Sequence, residues 1–184
     1  LWHGFAYSRR ELQVEGIDYW VKIKGKHFYR YELANTAPIR DYSDWCKQLI
    51  RADQSIASPE EQWLEYYDQG AGKYRAACYL GDQLISCLFI GPDCQLPDRS
   101  WLSQLFNTDS LTQQDRMSLL AGVPMNANAG GGKTICACFA VGESTIRKAI
   151  SNEQLSTVEA IGDHLNAGTN CGSCIPELQK ILAG

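Results

Sequence analysis

Four cysteines near the C-terminal end carry the densest chemistry in the chain. Cys136 and Cys138 stand one residue apart, and Cys171 and Cys174 follow after 32 intervening residues. A Cys-x-Cys pair places two sulfurs on one short extended segment, and a Cys-x-x-Cys pair curls two more around a tight turn. Together the four thiolates can enclose a small metal cation or an iron–sulfur cluster. Structural zinc also takes four cysteines, but its usual pattern is two Cys-x-x-Cys hairpins, from which the first pair departs. Spacing therefore favours a cluster and keeps zinc as its rival. A disulfide is the weaker alternative: the opening Leu1 to Phe5 has neither the charged lead nor the apolar core of a secretory signal, and cytosolic thiols stay reduced.

The residues between the two pairs must fold to bring the sulfurs together, and two amphipathic helices are predicted there. Gly142 to Thr145 opens the first, in which Ile146, Ala149 and Ile150 fall at i, i+3 and i+4 on one apolar stripe. Ser156 to Glu159 has the form of a capping box for the second, with Val158, Ile161 and Leu165 on its inner face. Gly168 stands where a glycine would end that helix. A third short helix is expected from Pro176, carrying Leu178, Ile181 and Leu182. The second cysteine pair then lies at a helix N-terminus, where free N–H groups and the positive end of the dipole favour thiolate charge.

Cys136 to Cys138, the Gly142 to Ile150 helix, Leu155 to Gly162, and Ala167 through Cys171 and Cys174 to Leu178 together resemble the bacterioferritin-associated-ferredoxin-like [2Fe–2S] domain, over roughly residues 134 to 184. The resemblance implies an all-α domain of short helices in which Cys136, Cys138, Cys171 and Cys174 bind the irons of a [2Fe–2S] cluster. It also implies a role in electron transfer rather than in catalysis, and no catalytic residue is assigned.

Residues 1–57 form an aromatic-rich segment with Trp2, Phe5, Tyr7, Tyr19, Trp20, Phe28, Tyr29, Tyr31, Tyr42 and Trp45. Strands are expected around the Gly25 turn, from Tyr19 to Lys24 and from His27 to Leu33, followed by a helix from Asp41 to Ala52. The aromatics suit either a docking surface or ordinary core packing. In residues 58–122, Ser58, Pro59 and Glu61 suggest a capped helix continuing through Trp63 to Tyr67. A hairpin follows, Lys73 to Leu80 and Gln83 to Gly91 about a Gly81-Asp82 turn, with Cys78 facing Ile85. Leu102, Leu105, Phe106 and Leu111 to Ala121 supply helical cover. Cys46, Cys78, Cys87 and Cys94 read as buried or incidental thiols. The fold class expected is α+β: a small α/β module with a β-hairpin or sheet, linked to the all-α cluster domain.

Tyr74 to Gly91 and Trp101-Leu102 are similar to the small module that precedes this [2Fe–2S] domain in NADH-dependent nitrite reductases and in the C-terminal region of assimilatory nitrate reductase catalytic subunits of the molybdopterin family. Trp2 to Phe5 with Ser8-Arg9 resembles the nitrate-reductase version. That likeness implies a larger upstream core with molybdopterin and a [4Fe–4S] cluster, and a flavin- or NADH-linked electron donor. The alternatives are the corresponding region of a nitrite reductase, a regulatory ferredoxin binding an iron store, and a zinc-stapled docking module without redox function.

Residues 123–133 have linker composition and suggest a tether on which the cluster domain could swing. Gly132-Lys133-Thr134 invites a phosphate-loop reading, but the required first glycine is Ala127 and no buried strand leads into it. Net charge is −4, with nine Lys and Arg against six Asp and Glu in residues 1–52 and eight against fifteen beyond. Lys22, Lys24 and Lys26 lie on one face of a strand, a solvated face rather than a nucleic-acid patch in an acidic chain. No run approaches the ~18 apolar residues that span a bilayer, so neither membrane nor nucleic acid is an expected partner, and a cytoplasmic fragment of a longer protein is expected. His3, His27 and His164 are scattered and lack the spacing of a Rieske centre. Positive charge near the cluster would come from Arg147, Lys148 and Lys180.

Overall fold

The computed structural model describes residues 1–51, 60–123, 133–139 and 141–184. Six strands form one antiparallel sheet: β1 (Trp2–Ser8), β2 (Tyr19–Lys24), β3 (Tyr29–Asn35), β4 (Glu61–Asp68), β5 (Lys73–Leu80) and β6 (Gln83–Gly91), in the order β2-β3-β1-β6-β5-β4. β1 lies between β3 and β6, so residues on either side of position 57 hydrogen-bond into the same sheet.

Alternation along the central strands separates two buried faces. Trp2 and Ala6 of β1, Tyr31 and Leu33 of β3, and Leu88 and Ile90 of β6 face α1 (Tyr42–Ile50), which contributes Cys46, Leu49 and Ile50. Phe5 and Tyr7 of β1, Ala77 and Tyr79 of β5, and Leu84, Cys87 and Phe89 of β6 face the opposite way, toward α2 (Ser100–Leu105) and α3 (Gln113–Ala121). A sheet covered on both faces explains why the hairpin strands are apolar almost throughout. Asp41 caps α1 by accepting from the Asp44 N–H at 2.9 Å. Thr112 and Asp115 form a reciprocal capping box on α3, which ends at Gly122 with φ of 68°.

Two expectations for this half are corrected. Trp63 to Tyr67 belong to a strand: every residue of β4 pairs with β5, and an edge rich in Trp and Tyr is stabilised by cross-strand contacts that an isolated helical turn could not supply. Ser58 and Pro59 lie outside the described residues. Hairpin register also shifts by one between Cys78 and Tyr79, so that Cys78 faces Ser86 rather than Ile85. Ile85 becomes the extra residue of a bulge, and its carbonyl accepts from the Arg9 N–H at 2.8 Å.

The C-terminal segment contains a two-stranded ladder, β7 (Thr134–Cys136) with β8 (Val141–Gly142), and three helices, α4 (Glu143–Glu153), α5 (Val158–Leu165) and α6 (Ile175–Ala183). Its apolar residues join the core of the sheet face that carries Phe5 and Tyr7. Phe139 meets Phe28 edge-on with ring centroids 5.9 Å apart, and Phe28 in turn contacts Tyr7 and Phe106. Such an aromatic pair contributes about 0.5–1.5 kcal/mol beyond the area it buries. Asn166, fully buried, accepts from the Lys26 N–H and donates to Asn107 Oδ1, while Asn107 donates to the His164 carbonyl at 2.9 Å. Lys26 also pairs with Asp163. The C-terminal segment packs on the sheet through a shared core and polar contacts. Most of the expected linker lies outside the described residues.

Candidate metal centre

Each thiol of the candidate site is held by a different local device. Cys136 ends β7, and its pairing with Val141 carries the chain back toward α4. Cys138 lies in the intervening turn, beside Phe139, whose buried ring anchors that turn to the core. Cys171 and Cys174 flank a turn in which Gly172 has φ of 71° and its carbonyl accepts from the Ile175 N–H at 3.0 Å. Left-handed backbone at that point favours glycine and is what curls the Cys-x-x-Cys pair. Cys174 is the N-cap residue of α6, with Pro176 in the first turn.

α5 positions the second pair, though its ends differ from the sequence expectation. Thr157 rather than Ser156 is the N-cap, its hydroxyl accepting from the Ala160 N–H at 3.1 Å, which moves Glu159 out of the capping-box position. The helix stops at Asn166, whose φ is 61°, two residues before Gly168. Asparagine tolerates this conformation, and its side chain is thereby aimed at Lys26 and Asn107. Gly168 is also left-handed, with φ of 85°, and a Cβ there would meet Leu178 at 3.3 Å.

Fold and turn bring all four predicted cysteines to one end of the segment, as two pairs. The Cys138 and Cys171 sulfurs are 3.4 Å apart, and Cys136 and Cys174 are close enough to share a thiol hydrogen bond. Cys136 and Cys174 are buried, Cys171 is exposed and Cys138 half-buried, so the site has an inner and an outer pair. Among the described residues no group of three or more His, Cys, Asp or Glu could hold a single metal ion. Four thiols gathered as two such pairs could hold the irons of a [2Fe–2S] cluster.

Donors to the sulfurs complete the fit. The Cys171 thiol is lowered to about 7, first by hydrogen bonds from the Ser173 side chain and backbone and then by Cys138. The Cys174 thiol is pushed up to about 11, mainly by burial and then by Cys136, while the Gly168 and Cys174 N–H groups work in the opposite direction. Backbone donors aimed at sulfur suit a group that gathers negative charge, as the helix-terminus reading anticipated. Sequence reasoning missed two side-chain contacts to sulfur: Asn170 Nδ2 lies 3.3 Å from the Cys138 sulfur, and Ser173 Oγ lies 3.1 Å from the Cys171 sulfur. Adjacency to the second cysteine pair was the signal that could have found them.

The remaining candidates lie elsewhere. Cys46, Cys78 and Cys87 are buried in the sheet layer, and all eight cysteines are free. Cys78 and Cys87 are not cross-strand partners, since Cys87 pairs with Ala77. Cys94, expected among the incidental thiols, is exposed on a loop with its sulfur 3.7 Å from His3 Nδ1. Of the basic residues proposed near the site, Arg147 is turned onto Glu143 at 2.9 Å, while Lys148 and Lys180 are exposed on α4 and α6. His164 is exposed in the last turn of α5. Among the described residues no helix is long and apolar enough to cross a membrane.

Comparison with known proteins places these features in context. The chain is 27% identical over 183 residues to a nitrate reductase of Klebsiella oxytoca, an alignment covering 99% of this chain and 20% of that protein. It is 27% identical over 139 residues to the assimilatory nitrate reductase electron transfer subunit of Bacillus subtilis (strain 168), covering 75% of this chain and 17% of that one. It is 23% identical over 141 residues to a nitrite reductase [NAD(P)H] of the same organism, covering 73% and 17%. The chain therefore spans a fifth or less of the curated relatives named here. No solved structure matches it. Residues 134–184, the segment that carries both thiol pairs, match the model of the BFD-like [2Fe-2S] binding domain.

Proposed function

We propose that this chain is the electron-transfer part of a nitrate reductase, holding a [2Fe–2S] cluster on Cys136, Cys138, Cys171 and Cys174. A cluster so held supplies one-electron transfer. The observation that carries the reading is the assembly of four thiols as an inner and an outer pair, within the segment that matches a [2Fe–2S] domain. Cys136 and Cys174 fix the buried side of the centre, and Cys138 and Cys171 leave the other side open to a redox partner. The N–H groups of Gly168, Ser173 and Cys174 donate toward sulfur and favour its negative charge. Phe139, Asn166 and the sheet beneath hold the segment in place.

Electrons would come from a flavin- or NADH-linked donor protein or subunit in the cytoplasm. They would pass to a molybdopterin centre, with an attendant [4Fe–4S] cluster, lying outside this chain segment, which itself contributes no catalytic residue. Likeness over 99% of the chain to a nitrate reductase, and over 75% of it to a nitrate reductase electron transfer subunit, favours this assignment. The corresponding region of a nitrite reductase is the second reading, favoured by the likeness to that enzyme.

Anaerobic purification followed by an absorption spectrum and iron, sulfide and zinc assays tests the proposal. Red-brown protein with about two irons and two sulfides per chain is expected. Colourless protein holding one zinc would overturn it in favour of the zinc-stapled module.

A further inference from the structure

The inner and outer thiol pairs differ in who serves them. Around Cys174 the donors to sulfur are backbone N–H groups, of Gly168 and of Cys174 itself. Around the outer pair two side chains are added: Asn170 Nδ2 points at the Cys138 sulfur from 3.3 Å, and Ser173 Oγ sits 3.1 Å from the Cys171 sulfur. Resting on the cluster reading above, we propose that Asn170 and Ser173 set the reduction potential of the centre, by donating hydrogen bonds to the two ligand sulfurs of the outer pair.

The direction of these bonds follows from ligation. A thiol can donate or accept, so in the metal-free chain the Ser173 contact has no fixed sense. A ligating sulfur has lost its proton and can only accept, which obliges the Ser173 hydroxyl to donate. The Asn170 amide donates in either case. Donors to sulfur stabilise the more negative, reduced form over the oxidised form, and so raise the potential. Both side chains are exposed, as is Cys171, so neither is needed to fill the core. Water, which competes for the same sulfurs, is a mobile donor with no fixed direction. Two fixed donors on the face a partner approaches would hold the potential steady when that partner's docking displaces water.

The experiment uses the full 184-residue chain, loaded with cluster and titrated anaerobically against one-electron reference dyes, with iron and sulfide measured on every sample. Asn170→Leu and Ser173→Val keep approximate shape and remove the donors; Ser173→Thr restores a hydroxyl at the same position. Each donor-free variant is expected to lower the potential enough to shift the one-electron equilibrium about threefold to tenfold, tenfold being about 59 mV. The double variant should shift further, and Ser173→Thr should lie close to the parent. Loaded variants with unmoved potentials would overturn the role while leaving the cluster reading intact. Loss of cluster from the donor-free variants would make these assembly residues and would also overturn it. A parent chain that binds one zinc and no sulfide would remove both the inference and the reading beneath it.

Discussion

The same residue type serves two opposite ends in this molecule. In the sheet layer, burial pushes the thiols of Cys46 and Cys78 up to about 12 and that of Cys87 also upward, so they behave as small apolar groups. At the end of the C-terminal segment, hydrogen bonds from Ser173 and Cys138 bring the exposed Cys171 thiol down to about 7. Composition alone would count eight equivalent cysteines. What separates them is surroundings: Cys46 on α1 and Cys78 and Cys87 on the strands are buried, and burial outweighs the bonds that Cys46 receives from Tyr74 and Cys87 from the Tyr7 backbone, whereas the turn around the second pair brings backbone N–H groups toward sulfur.

Substitution at the two ends should show the largest contrast. Cys138→Ser in the loaded protein is expected to abolish the visible absorption and donor-driven electron transfer, while the metal-free chain keeps its unfolding midpoint. Cys87→Ser should do the reverse, sparing the absorption but costing about 1–3 kcal/mol in urea unfolding, because a hydroxyl is buried where a thiol fitted. A Cys138→Ser chain that retained both colour and turnover would break the comparison.

Alkylation sharpens it at the level of charge. Only thiolates react, so in the metal-free chain the iodoacetamide rate at Cys171 should rise with pH through about 7 and level off above it. Cys46 and Cys78, at about 12, should stay inert across pH 6–9 unless denaturant is present. Peptide mass mapping reads both. Equal labelling of the three sites at pH 7 would mean that environment does not distinguish them.

The smallest expected effect concerns the joint between the two regions. Asn166→Ala removes the side-chain bonds to Lys26 and Asn107 and leaves a Cβ residue in left-handed backbone, for an expected loss of about 1–3 kcal/mol. Asn166→Gly loses the bonds without the strain and should lie between that variant and the parent. Melting followed by Phe and Tyr absorbance, beside amide exchange of α5, would resolve the difference. No change in either would detach the segment's stability from the sheet.

Much of the candidate site was legible because it is local. Cysteine spacing, the apolar stripe of α4 and the proline after Cys174 each depend on residues a few positions apart, and the hairpin from Lys73 to Gly91 was bounded by its own turn. Failures cluster where local preference met a long-range partner. Trp63 to Tyr67 could form a helical turn in isolation, but the open edge of β5 offers a complete ladder and recruits it as a strand. The end of α5 passed from Gly168 to Asn166 because a buried asparagine finds partners 140 and 59 positions away.

The sequence by itself determined the number and spacing of the thiols, the presence of two helices between them and the turn that curls the second pair, all set by short-range sterics and periodicity. Tertiary structure decided that the thiols divide into a buried pair and a more exposed one, that Asn170 and Ser173 face the more exposed one, and that the segment packs on the sheet. Those features depend on which surfaces meet after folding. Burial and long-range hydrogen bonds are properties of that meeting, and no window of neighbouring residues contains them.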